Sequence, residues 1–136
     1  MDKIDKLLDL IKKDKRCEVN PPKGELPSLP NNKLKCPEDV IYFYQKCNGV
    51  KLFCNDNSLI TFTILPNDEV LNSNMKIVGE LCGYDISSTW YLIAKTDNND
   101  YLSIDLSLER NGRCYDSNYE VHGIVGSCTV IALSFS

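Results

Sequence analysis

Apolar residues in the first sixteen positions recur at helical spacing. Ile4, Leu7, Leu8 and Ile11 fall at i, i+3, i+4 and i+7, one face of an amphipathic helix. Asp2 is placed to cap it, and Lys12, Lys13, Lys15 and Arg16 suit its negative C-terminal end. Residues 20–32 then hold four prolines and a glycine, which excludes regular structure. This connector carries Leu26 and Leu29 as apolar anchors. Helical spacing resumes over 36–47, with Val40, Ile41, Tyr44 and Cys47 as the buried stripe. Pro37 suits the first helical position, Glu38 and Asp39 the first turn, and Asn48-Gly49 the stop, with Gly49 as a left-handed cap.

Beyond Gly49 the period changes from helical to twofold. Ile60, Phe62 and Ile64 alternate with Thr61 and Thr63, as in a half-buried strand. Residues 65–72 predict a short helical turn, and residues 74–81 predict a strand. Trp90 to Ala94 is apolar on both faces and predicts a central strand. Asn111-Gly112 is the strongest hairpin signal, and strands near 101–109 and 113–116 should pair across it. A strand-like stretch at 118–124 and a last strand near 129–135 close the chain. Strands this close in sequence leave no room for parallel crossovers. The pattern predicts α+β, a mostly antiparallel curved sheet with helices packed on one face.

The chain is 136 residues, the size of one domain: a helix over 1–16, the connector at 20–32 and a main body over 36–136. The net charge of −4 is unevenly spread. Residues 1–16 carry six Lys/Arg against four Asp, and the rest nine Lys/Arg against fifteen Asp/Glu. An acidic body is a poor nucleic-acid binder and suits a basic protein partner. No apolar run is long enough for a membrane helix, and the N-terminus lacks a signal peptide's apolar middle, so a cytoplasmic location is expected. Seven scattered cysteines without CxxC spacing argue against disulfides and zinc, and read as reduced core residues.

Four stretches, in order, resemble the SUKH superfamily, the Smi/Knr cell-wall-regulator relatives. They are the proline-led helix ending in Asn48-Gly49, the strand and acidic turn over 59–70, the hairpin from Tyr91 to Leu106, and the segment 130–135. Together they span most of residues 26–135, and their order and spacing carry the resemblance. The resemblance implies a sheet flanked by helices. It also implies a role common among bacterial members, as immunity proteins that bind and neutralise toxins, often nucleases. Members continue past the Ser-Phe into a final helix, whereas this chain stops at Ser136. The resemblance therefore implies that this helix is absent or that the N-terminal helix takes its place.

Catalytic chemistry finds little support. A Cys–His pair would have to use the lone His122, and neither Cys114 nor Cys128 lies at a catalytic spacing from it. Asp97, Asp100, Asp105, Glu109 and Asp116 cluster around the hairpins, but no calcium-loop or HExxH pattern accompanies them. No enzyme activity, cofactor or metal is expected. Tyrosine is enriched at interfaces. Tyr42, Tyr84, Tyr101 and Tyr115, with Glu38, Asp39, Asp105 and Asp116, therefore form the candidate partner-binding set, core tyrosines being the equal alternative. Pro37, Asn48, Gly49, Trp90 and Gly112 are read as structural. The leading expectation is an immunity protein that occludes a cognate, basic toxin. The alternatives are a regulatory scaffold of the same fold, a small enzyme, and a homodimer.

Overall fold

The computed structural model describes residues 2–30, 33–54, 60–77, 79, 86–97, 100–117 and 130–135. The periodic N-terminal segment forms helix α1, Asp2–Lys13. Strand β1, Glu18–Val19, follows, and after the connector comes helix α2, Glu38–Lys46. Next are β2, Val50–Leu52, β3, Phe62–Ile64, and a 3₁₀ turn at Asn67–Glu69. Helix α3 spans Ser73–Ile77. Strands β4, Trp90–Thr96, β5, Tyr101–Asp105, β6, Cys114–Ser117, and β7, Val130–Ala132, complete the order.

The seven strands lie side by side in chain order, each antiparallel to the next. The α+β class and the antiparallel sheet are as the sequence predicts, and β4 is the central strand. It has a bulge between Leu92 and Ala94. The extra residue, Ile93, uses its carbonyl to accept the Leu65 N–H. The bulge shifts the alternation by one. Trp90 and Leu92 therefore share a face with Lys95, while Tyr91 shares the other with Ala94. Both faces of β4 are apolar because every residue from Trp90 to Ala94 is.

One face is defined by the cross-strand row Val50, Ile64, Ala94 and Leu102, with Ile104 and Cys114 further along. Helix α2 packs over it through Val40, Phe43 and Tyr44, all buried. Phe43 is the residue that the predicted stripe omitted, and Ile41 is only partly buried. Ile4 and Leu8 of α1 are buried in the same cluster, and Phe43 meets Phe135 edge-on at 5.1 Å. The Tyr44 hydroxyl donates to the Leu65 carbonyl at 2.6 Å, and burial pushes its pKa up.

Helix α3 corrects two expectations. Residues 74–81 were expected to form a strand, yet Ser73–Ile77 is helical. Asn72 accounts for this: its side-chain oxygen accepts the Met75 N–H at 3.1 Å, an N-cap bond. At the other end Gly79, at φ 90°, donates its N–H to the Asn74 carbonyl, a glycine stop. The local cap and stop outweigh the β-branched residues between them. Helices were also expected on one face only, but α3 lies on the opposite face. There the Ser73 hydroxyl meets that of Ser103 at 2.7 Å, and Ser103 meets Ser117 at 2.6 Å.

Smaller differences follow from local chemistry. Pro37 precedes α2 as its cap rather than forming its first turn. Leu29 packs on the core, but Leu26 is exposed, so the connector has one of its two anchors. Ile60 and Phe62 are exposed, and only Ile64 of that alternating set faces the core. Strand β5 ends at Asp105, and the pairing with β6 runs across a loop over 106–113 rather than a two-residue turn. The predicted strand at 118–124 lies outside the described residues.

Candidate partner-binding site

The structural residues each have a visible cause. Asn48 is buried and accepts the Asn67 N–H through its side-chain oxygen at 2.9 Å, tying the end of α2 to the 3₁₀ turn. Gly49 sits at φ 91°, where an added methyl group would run into the Ile64 carbonyl oxygen. Gly112 sits at φ 96°, with the Pro37 ring against it. Trp90 stacks on Tyr115 with ring centroids 3.9 Å apart and planes within 16°.

The candidate partner-binding residues do not form one patch. Glu38 is exposed at the start of α2, and Asp39 is partly buried beside it. One turn on, Tyr42 donates its hydroxyl to Asp5 of α1 at 2.6 Å, and the Lys46 ammonium lies 5.2 Å from its ring centre. Asp116 pairs across from Leu102 and shares this helix-covered face. Tyr101 lies on the opposite face with Lys95, its cross-strand partner. It lines a hollow of about 280 Å³ with Glu69, Lys76 and Lys95 over Leu65 and Leu92. Tyr84 lies outside the described residues.

Asp105 and Tyr115 are interior, so neither presents a surface to a partner. Asp105 is 0% exposed. Its carboxylate accepts from the Thr89 hydroxyl at 2.8 Å, the Ser107 N–H at 2.9 Å and Arg110 Nε at 2.8 Å. The bond to Asp105 raises the pKa of Arg110 further. Three charge-assisted bonds compensate the buried charge. Tyr115 is buried by its stack on Trp90. In both positions the residue type suggested a surface role, and the twofold alternation, which sets Asp105 with Ser103 opposite Leu102 and Ile104, gave no sign of burial.

A second hollow, about 120 Å³, is apolar and lies between α1 and the sheet, lined by Ile4, Leu7, Leu8, Phe43, Val50 and Phe135 among others. Among the described residues no group of three or more His, Cys, Asp or Glu side chains is placed to hold a metal ion. His122 lies outside the described residues, as do Cys82 and Cys128. Cys36, Cys47 and Cys114 are buried thiols, and burial raises the pKa of each, that of Cys114 to about 11. Raised thiol pKa values oppose nucleophilic use. Among the described residues no helix is long and apolar enough to cross a membrane.

A seven-stranded antiparallel meander clasped between two helices on one face and a short one on the other defines a mixed α+β domain. Its buried serines and Asp105 are hydrogen-bonded to one another or to neighbouring groups. The chain belongs to the SMI1/KNR4 family (SUKH-1), whose sequence model matches residues 31–136. It is also 41% identical over 133 residues, 98% of this chain and 78% of the relative, to a protein of Bacillus subtilis (strain 168) named immunity protein YokJ. No solved structure matches significantly.

Proposed function

We propose that this chain is an immunity protein: it binds a toxin made in the same cell and blocks it by covering the surface the toxin needs. The observation that carries this reading is the 41% identity, over nearly the whole chain, to a relative named as an immunity protein. Membership of the SUKH-1 family supports it. Inhibition by occlusion requires no catalytic group in the inhibitor, and the thiols described above are poorly suited to attack.

The partner is a basic toxin, a nuclease fitting best, because its nucleic-acid groove must be positive. The net charge of −4, concentrated beyond residue 16, would speed the encounter with such a partner. The protein itself then acts in the cytoplasm, without nucleic acid, membrane or cofactor. Co-production with a candidate toxin from the same genome tests the reading. Cells carrying both genes should grow, and cells carrying the toxin alone should stop. Equal growth arrest with and without this chain would contradict the proposal.

A further inference from the structure

The loop that joins β5 to β6, residues 106–113, is held more firmly than its length demands. The Leu106 N–H donates to the Thr89 carbonyl, and the Leu106 carbonyl accepts the Lys35 N–H. Leu34 bridges to Ser107. The Gly112 N–H donates to the Asp105 carbonyl, and the Arg113 N–H to that of Arg110. The Asn111 side chain donates to the Lys35 carbonyl. From beneath, the Asp105 carboxylate takes Ser107 N–H and Arg110 Nε, and the Ser107 hydroxyl takes the Arg110 N–H at 3.2 Å. A loop fixed in this way has little conformational freedom to lose when it binds.

Two side chains at its tip stand outside this network. Leu108 is 62% exposed, although Leu102, Ile104 and Leu106 before it alternate into the core. Glu109 is 85% exposed, with only a 3.5 Å approach to the Arg110 guanidinium. A second exposed leucine lies close by. Leu133 is 76% exposed and precedes Ser134, whose Cα is 3.9 Å from the Cβ position of Gly112. The acidic start of α2 borders the same end, through the contact of Pro37 with Gly112. A rigid support that presents an exposed aliphatic side chain can seat it in a partner's pocket at little entropic cost.

We propose that the 106–113 loop is the docking element for the toxin. Leu108 enters an apolar pocket on the partner, and Glu109 faces a basic residue on the rim of that pocket. Asp105 is a positioning residue that holds the loop from below. This inference rests on the reading of the chain as a toxin-binding protein, and it names the surface that does the binding.

The test is calorimetric titration of the purified toxin whose growth arrest this chain relieves into wild type, Leu108→Ala, Leu108→Arg, Glu109→Lys and the control Leu71→Ala. Circular dichroism confirms folding in each case. Leu71 is also exposed but lines the hollow beside Tyr101 and Lys95 and is no part of the loop. Leu108→Ala should weaken binding at least about tenfold, and Leu108→Arg further. Glu109→Lys should slow association and reduce its salt dependence, while Leu71→Ala should stay within about twofold. Asp105→Asn should speed hydrogen exchange in 106–113 and raise the dissociation rate together. Unchanged affinity in both Leu108 variants, with a tightly binding wild type, would overturn the loop assignment and leave toxin binding intact. A wild type that does not bind would overturn both.

Discussion

On the face covered by α1 and α2, the interior is made of Ile4, Leu8, Val40, Phe43, Val50, Tyr91 and Ile104. On the face beneath α3, Trp90, Leu92 and Tyr115 are buried beside polar groups. Ser73, Ser103 and Ser117 form a chain of hydroxyls, and Asp105 gathers Thr89, Ser107 and Arg110 around one carboxylate. The first face is held by area removed from water, which is non-directional and tolerates swaps of similar volume. The second is held by bonds with fixed geometry, in which each group depends on its partner. A meander with one apolar side and one that adds a hydrogen-bonded network to its apolar packing can therefore keep its strands together by the first and fix the shape of its loops by the second.

That contrast can be broken at either face. Phe43→Ala on the apolar side should cost about 4 kcal/mol in urea denaturation, the loss of a buried ring plus the cavity it leaves. Asp105→Ala on the polar side should cost about 3 kcal/mol, because it strands Arg110, Thr89 and the Ser107 amide. The loss is tempered because Arg110 is 25% exposed. A cost below about 1 kcal/mol for Asp105→Ala would show that the polar face is not held as described. Ser103→Ala removes the middle hydroxyl of its chain and should cost about 1–2 kcal/mol.

The smallest expected effect is a decline in stability at alkaline pH, arising mainly on the apolar side. Burial raises the pKa of Cys36, Cys47 and Cys114 above the ordinary thiol value of 9.0, that of Cys114 to about 11. The unfolded chain loses these protons first. Their contribution is therefore fully present below pH 9 and is lost as pH rises toward 11. Thermal melts across this range should fall, and Cys114→Ala should flatten part of the slope.

The apolar face was legible in the sequence and the polar face was not. Helical spacing placed α1 and α2, and the doubly apolar run at Trp90–Ala94 placed the central strand, because burial leaves a period. Gly49 could be assigned a turn, although its contact with the Ile64 carbonyl depends on a strand that arrives fifteen residues later. Helix α3 was missed because Asn72 and Gly79, which start and stop it, weigh little beside Ile77 and its β-branched neighbour. Asp105 reads as a surface acid in the sequence, since a buried carboxylate is recognised only by the partners that surround it. Leu108 carries the opposite signal. It continues the alternation of buried residues in sequence and emerges into solvent because the strand has already ended.

The central claim is that this chain neutralises a toxin by binding it rather than by modifying it. Titrating the purified chain against a fixed amount of the toxin whose growth arrest it relieves, with residual toxin activity as the readout, addresses this directly. The account predicts a linear fall that ends at one equivalent and recovers when the complex is separated. Full loss of activity at a small fraction of an equivalent, or none at several, would contradict it.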